Sequence, residues 1–267
     1  MKKCFTINPK RTREEFISYE ELIKNNIYQA IEIFNPYRES IEQLNQYTSS
    51  VKELREKYPN LEIVLHLPHA VDNGLLLDEH LNKGSLKIMM QSADYAHQFG
   101  VKKLTLHLGH IDQNIDRSYY VDKIIPTLRE LCDYVAGNNQ VIMIENMPNP
   151  CELGYSPEEL LEIIKRTNRD NLKFIFDTGH AHCSSYNDTD FLYLLKDYLY
   201  HIHYNDNDGS RDMHARLGSG NIDFEKHFKA LKDINYSELH CMEVIYKTSD
   251  DLLLYASDLD RLNRYRL

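Results

Sequence analysis

The chain contains 267 residues, of which 42% are hydrophobic and 27% are charged, and its formal net charge is −10. No stretch approaches the roughly 18–20 apolar residues of a membrane span, and residues 1–16 lack the apolar core of a secretory signal, so we expect a cytoplasmic protein without a membrane partner. The excess of acidic residues argues against broad nonspecific binding of nucleic acid. Binding through a local basic groove, or through phosphate held by metal ions, is left as an alternative.

Short segments typical of β-strands alternate with longer amphipathic segments along the whole chain. The predicted strands are residues 3–8, 30–34, 62–67, 103–107, 141–145, 173–177, 200–204 and 239–244. The predicted helices are residues 13–25, 38–57, 81–99, 117–136, 157–167, 190–196, 224–233 and 249–261. In the second predicted helix, apolar residues from Ile41 to Leu54 recur at steps of three and four, which places them on one face.

The alternation of strands and helices predicts the fold. It implies right-handed crossovers and a parallel sheet, and eight such units are the number that closes a barrel. We therefore expect an α/β protein, a (β/α)8 TIM barrel in a single domain over residues 1–267. An open doubly wound sheet is the competing fold. Such a sheet usually carries a glycine-rich phosphate-binding turn after an early strand, and this sequence has none.

Residues that can bind metals recur at the ends of the last six predicted strands, where barrel enzymes carry their catalytic groups. These ends read LHLPH, LTLHLGH, MIEN, FIFDTGH, HIHYND and HCMEVI. One strand-end histidine is more often structural than functional, but six coincidences at one level are hard to dismiss. The five cysteines are scattered without a CxxC pair, which indicates reduced thiols rather than sulfur ligands.

The residue types at these ends indicate a divalent-metal site. Carboxylate oxygens and imidazole nitrogens suit Zn²⁺, Mn²⁺, Co²⁺ or Fe²⁺. The predicted ligands are Glu145, Asp177, His203 and Glu243. Glu145 and Glu243, on the fifth and eighth strands, are also predicted to be the catalytic pair, one abstracting a proton and the other delivering it beside a metal-polarised carbonyl.

These strand ends, with the sequences FDTGH, HYND and DMHARLGSGNIDF, resemble the xylose-isomerase-like TIM-barrel superfamily over nearly the whole chain. That group contains sugar and sugar-phosphate isomerases and epimerases, inosose-handling enzymes and the related endonuclease IV family (AP endonuclease family 2). The isomerase branch implies one metal on the Glu–Asp–His–Glu set and a small sugar, sugar phosphate or cyclitol as substrate. It also implies that His180 contacts substrate, and its members often form homo-oligomers.

The endonuclease branch implies an alternative function, zinc-dependent cleavage of the phosphodiester at abasic sites in DNA. The resemblance there places a three-metal cluster on His69, His107, Glu145, Asp177, His180, His203, Asp212, His214 and Glu243. Departures from that family's motifs after Glu145, around Asp177 and after Asp212 favour the isomerase branch, in which His69 and His107 would contact substrate. A barrel that only binds a sugar-like ligand is a third and weaker alternative.

Several residues near these motifs carry predictions of their own. Residues 205–221 form the longest irregular segment, and long loops in compact domains are usually functional. Within it, Arg216 is predicted to bind a substrate carboxylate or phosphate. Tyr204 and Tyr186 are predicted to wall the substrate pocket, whereas His66 and His201 precede the strand-end ligands and are expected to point into the barrel core.

Overall fold

The structure is a computed structural model that describes residues 1–69 and 73–266. Its parallel strands pair in chain order and close into a barrel, since the last strand also pairs with the first. The strands are β1 Lys2–Ile7, β2 Ala30–Phe34, β3 Glu62–His66, β4 Lys103–Leu106, β5 Val141–Glu145, β6 Leu172–Asp177, β7 Leu199–Tyr204 and β8 Leu239–Met242. The predicted (β/α)8 barrel is confirmed.

Helices follow the strands and form the outer layer. They are α1 Arg13–Lys24, α2 Ile41–Lys57, α3 Glu79–His97, α4 Arg117–Ala136, α5 Pro157–Thr167, α6 Thr178–Cys183, α7 Asp188–Leu194, α8 Phe224–Asp233 and α9 Ser249–Leu262, with a 3-10 turn at Asn263–Arg266. The short helix α6 was not predicted. It begins directly at the end of β6, because the Asp177 carboxylate caps it by accepting the His180 amide at 2.6 Å. Over the described residues, none of the helices has the length and apolarity of a membrane span.

The core has two parts, separated by the wall of the barrel. The larger part fills the space between strands and helices, and it contains Tyr204, whose ring packs 5.6 Å from Phe228 and 5.7 Å from the ring of His240. The prediction that Tyr204 walls a pocket is therefore wrong, because this position of β7 faces outward. The smaller part lies inside the barrel and consists of Cys4, Ala30, Val64, Met143, Ile175, Leu239 and Cys241.

The two-residue period of each strand carries one row of side chains up the inside of the barrel. On β4 this row is Lys103, Thr105 and, just past the strand end, His107. The Lys103 ammonium pairs with Glu62 at 3.0 Å and Glu238 at 2.9 Å at the amino-terminal end of the barrel. The next inward residues therefore reach the middle of the barrel and then its carboxyl-terminal end, where the site lies.

Candidate metal centre and active site

The central group of the site joins four strands. Glu145, Asp177, His203 and Glu243 stand at or next to the ends of β5 to β8, and their ligand atoms lie within 4.8 Å of one another. His203 Nδ1 is 2.8 Å from a Glu243 oxygen and 3.3 Å from a Glu145 oxygen. The structure thus brings together the four residues that the sequence predicted as one metal site.

The Asp177 carboxylate is held in place by neighbours that the strand ends supply. Asn205 donates its side-chain amide to Asp177 Oδ2 at 2.8 Å. Asn146, after β5, donates to the Asp177 carbonyl at 2.9 Å and accepts the Asp177 amide at 2.8 Å. Gly179 makes this arrangement possible, because a Cβ atom there would lie 1.8 Å from the Asn205 side-chain oxygen. These contacts orient the carboxylate before any ligand arrives.

A second group of donors lies beside Glu145. His107 Nε2 is 3.1 Å and His66 Nε2 is 3.8 Å from the same Glu145 oxygen. The sequence placed His69 here, but among the described residues the compact group contains His66, whereas His69 is exposed at the cavity with its ring 4.9 Å from that of His66. His66 is buried and points into the barrel as expected, and it also borders the cavity. The sequence signal that favoured His66 was the two-residue alternation of inward-facing side chains on β3, from Val64 to His66.

A third group comes from α6 and the long loop. His180 Nε2 lies 3.3 Å and His214 Nε2 lies 2.8 Å from the same Asp212 oxygen. His214 has a backbone φ of 45°, in the left-handed region that few non-glycine residues adopt. It is held there because its Nδ1 donates to the Glu243 carbonyl at 2.9 Å and its own carbonyl accepts the Ile245 amide at 2.9 Å.

The long loop itself is organised by one buried carboxylate, that of Asp206. Its Oδ2 accepts the amides of Gly218 at 2.7 Å and Gly220 at 2.9 Å, and its Oδ1 accepts the amide of Ile222 at 3.3 Å. Asp206 also exchanges two backbone hydrogen bonds with Ala215, at 2.9 and 3.1 Å. The segment between these anchors carries Asp212 and His214 of the third group, so the position of these two residues depends on Asp206.

The carboxylates of the site repel one another. The pKa of Asp177 is raised to about 7, chiefly by burial and also by the carboxylates of Glu145, Glu243 and Asp212, against the opposing effect of His180. For Glu145 the balance differs: burial raises its pKa, but His203 and His107 lower it well below the ordinary value. The site therefore concentrates carboxylates whose charge depends on the neighbouring histidines.

The histidines balance this charge. Burial lowers the pKa of His214, yet the hydrogen bond to Asp212 and the charge of Glu243 outweigh burial and raise that pKa to about 10. The same competition raises the pKa of His203, through Glu243 and Glu32, well above its usual range. A metal ion bound at these nitrogens would displace their protons, so metal binding would release protons.

The three groups fit divalent metal ions on their own chemistry. Each contains both carboxylate and imidazole donors, the set preferred by zinc, manganese, cobalt and iron. Asp212 Oδ1 is buried and has no hydrogen-bond partner among the described residues, as expected of an oxygen reserved for a cation. Glu145 belongs to the first two groups, so its two oxygens can serve neighbouring ions.

A cavity of about 760 Å³ opens onto these groups. Glu243, His180 and His107 border it, and Lys10 and Arg11 supply positive charge at its β1 side. This volume is in the range of small-molecule sites. The described residues that line it do not include Glu145, whose carboxylate is fully buried.

Two predicted pocket residues lie elsewhere. Arg216 does not reach the cavity lining, because its Nε and Nη2 donate to Asp258 of α9 at 2.7 and 3.2 Å. Tyr186 packs 5.4 Å from the ring of Tyr155 and 6.4 Å from that of Phe191, also outside the described lining. Neither position supports the predicted contact with substrate.

The sequence analysis missed Glu32, a fully buried carboxylate in the middle of β2. Burial raises its pKa, but His203 and the hydrogen bond from His201 lower that pKa well below the ordinary value. His201 points into the barrel as expected, with its Nε2 2.8 Å from Glu32. The signal was present in the strand AIEIF, where a charged residue interrupts an otherwise apolar run on the inward-facing register.

A closed α/β barrel whose strand ends gather carboxylates and imidazoles defines an enzyme scaffold with a candidate metal centre. The chain belongs to the xylose isomerase-like TIM barrel family, whose model matches residues 21–265. It is 33% identical over 198 residues to protein MJ1311 of Methanocaldococcus jannaschii, a match that covers 71% of this chain and 66%, just under two thirds, of that protein.

Two further likenesses point to the two branches of the family. The chain is 32% identical over 201 residues to a probable endonuclease 4 of Staphylococcus aureus, covering 67% of this chain and 66% of that protein. The crystal structure of a D-tagatose 3-epimerase-like protein superposes with a TM-score of 0.80 at 28% identity, covering 98% of this chain and 97% of the other. The family is thus shown, and the reaction has to be argued from the site.

Proposed function

We propose that the protein is a divalent-metal-dependent isomerase or epimerase of a small sugar, sugar phosphate or cyclitol. The observation that carries the proposal is the position of two glutamates at one imidazole nitrogen, with Glu243 2.8 Å and Glu145 3.3 Å from His203 Nδ1. Paired carboxylates beside a small cavity suit a reaction in which a proton leaves a carbon and returns to it or its neighbour. The likeness to a D-tagatose 3-epimerase-like protein supports the same class of reaction.

The ligands of the proposed ion are Glu145, Asp177, His203 and Glu243. A divalent ion held there would polarise a substrate carbonyl and make the adjacent C–H bond more acidic. Glu243 borders the cavity, so its carboxylate is the one that reaches this carbon directly. Glu145 is covered by His107, whose Nε2 is 3.1 Å away, so a proton passes between Glu145 and the cavity through that imidazole.

The charge state of both glutamates suits a base. Burial raises the pKa of Glu243, but the charge and hydrogen bond of His203 lower it below the ordinary value, as His203 and His107 do for Glu145. Both carboxylates are therefore ionised near neutral pH and able to accept a proton. His180 borders the cavity, and its Nδ1 lies 3.4 Å from a Glu145 oxygen, so it would contact a substrate hydroxyl beside the proposed ion.

Hydrogen exchange at carbon tests the proposal directly. The metal-loaded protein is incubated in D2O with a panel of ketoses, ketose phosphates and inososes, and NMR records deuterium next to the carbonyl. We expect incorporation by the wild-type protein, loss of at least a hundredfold in Glu243→Gln, and no change in Glu238→Gln, a carboxylate at the opposite end of the barrel. No incorporation with any member of the panel would contradict the proposal.

The three donor groups favour a second candidate, a zinc-dependent abasic-site phosphodiesterase. His180, Asp212 and His214 form a compact group beyond the four ligands of a single-metal site, and the likeness to endonuclease 4 points the same way. Such a site would use several ions to activate water and hold the phosphate.

Elemental analysis and a cleavage assay separate the two functions. About one ion per chain, retained in His214→Ala, supports the isomerase proposal. Two or three zinc ions per chain that decrease in His214→Ala, with cleavage of an abasic duplex by the wild type, support the endonuclease instead. His97→Ala is the matched control, because His97 is exposed at the end of α3 and belongs to none of the donor groups formed by the described residues.

A further inference from the structure

Glu32 accepts three hydrogen bonds inside the barrel, below the floor of the site. Thr105 Oγ1 donates to its Oε1 at 2.8 Å. The Nε2 atoms of His201 and His203 lie 2.8 and 2.7 Å from its Oε2. All four side chains are fully buried. A buried carboxylate is costly unless it is paired and hydrogen-bonded. One of the partners of Glu32 is His203, a predicted metal ligand.

The contact with Glu32 determines which nitrogen of His203 carries a proton. An ionised carboxylate only accepts hydrogen bonds, so the His203 Nε2 atom next to it must be protonated. In a neutral imidazole this leaves the lone pair on Nδ1. Nδ1 is the atom that faces Glu243 at 2.8 Å and Glu145 at 3.3 Å.

We propose that Glu32 is a positioning residue that holds His203 in the Nε2-protonated form and aims its Nδ1 at the metal ion. Partners of this kind orient a metal-bound histidine and increase the basicity of the ligating nitrogen. The inference rests on the proposed function, because it needs a metal ion in the central group. It assigns to the catalytic site a residue of β2, a strand whose end contributes none of the predicted ligands.

An alternative role for the same side chains is a separate metal site. Glu32, His201, His203 and Cys241 have ligand atoms within 4.8 Å of one another. Cys241 belongs to the apolar cluster inside the barrel. The contacts of Glu32 with His201 and His203, at 2.8 and 2.7 Å, are already those of hydrogen bonds, so a positioning role accounts for them without a second ion.

The test compares metal affinity in Glu32→Gln and Glu32→Ala. The glutamine oxygen can accept from both imidazoles while its amide donates to the Thr105 hydroxyl, so Glu32→Gln removes the charge and keeps the hydrogen bonds. Competition with a chromophoric chelator for Zn²⁺ and Mn²⁺ measures the dissociation constant. We expect affinity to fall about tenfold in Glu32→Gln and about a hundredfold in Glu32→Ala, with Glu238→Gln unchanged.

A second measurement reads the histidine itself. In the zinc-loaded protein with ¹⁵N-labelled histidine, we expect the His203 Nε2–H proton far downfield in the wild type and shifted upfield in Glu32→Gln, because its acceptor loses charge. Wild-type affinity in both Glu32 variants would overturn the inference and leave the proposed function intact. A wild-type protein that binds neither ion would overturn both. If Glu32→Ala does not fold, Glu32→Gln alone decides.

Discussion

Replacing Asp206 by asparagine should release the loop that carries Asp212 and His214. Each Asp206 carboxylate oxygen accepts hydrogen bonds from backbone amides of residues 207–222. On Oδ2 these bonds come from Gly218 at 2.7 Å and Gly220 at 2.9 Å. In Asp206→Asn one oxygen becomes an NH2 group, which faces two amide donors and can accept from neither.

The size of the effect follows from those two lost bonds. A hydrogen bond to a charged group contributes about 1.5–3 kcal/mol, so at the lower value the two bonds amount to about 3 kcal/mol. Every 1.4 kcal/mol is a factor of ten, so local opening of the loop becomes about 150-fold more frequent. The barrel strands do not depend on these bonds, and we therefore expect a local rather than a global loss of stability.

Native-state hydrogen exchange of single amides measures this opening. We expect the amides of Gly218, Gly220 and Ile222 to exchange about 150-fold faster in Asp206→Asn, while barrel amides keep their rates. Asp208→Asn is the control, because that carboxylate is exposed on the same loop and caps only Ser210. Unchanged exchange at all three amides would refute the role assigned to Asp206.

Two further substitutions test the packing around the site. Gly179→Ala places a Cβ atom 1.8 Å from the Asn205 side-chain oxygen, so we expect a measurable loss of thermal stability and at least tenfold weaker metal binding. The control is Gly84→Ala, on the exposed face of α3, where the new Cβ atom meets open space. That substitution should stabilise the protein by about 0.5–1 kcal/mol. A stable Gly179→Ala protein with normal metal affinity would contradict the first expectation. Arg216→Ala leaves the buried Asp258 without its closest partner, so urea denaturation should show a free energy of unfolding about 1–2 kcal/mol lower, while the KM for substrate stays unchanged. A rise in KM without a loss of stability would instead support the predicted contact of Arg216 with substrate.

Strand register explains which site residues the sequence could and could not reveal. The ends of β5 to β8 identified Glu145, Asp177, His203 and Glu243, because parallel strands in a barrel all end at one rim. His66 was not predicted to join the donor group beside Glu145, because the prediction considered the distance from the strand end rather than the two-residue period of inward-facing residues. Tyr204 was misplaced for the same reason, since its neighbour His203 already occupies the inward position.

Contacts between distant segments decided the rest. Arg216 lies between loop residues that reach the site, yet its guanidinium turns to Asp258, 42 residues away. Glu32 stands 171 residues before His203 and meets it only because the barrel is closed. No local pattern predicts such pairings, because they depend on how distant segments of the chain pack together.

The sequence by itself determined the alternation of strands and helices, the closed eight-stranded barrel and the identity of the rim that carries the central donor group. Hydrophobic periodicity and the handedness of the crossovers are sufficient for that, since both act locally along the chain. Only the tertiary structure decided which histidine joins Glu145, where Arg216 binds and what orients His203. These depend on side chains that distant parts of the chain bring together, and inside the barrel burial leaves no water to replace a missing partner.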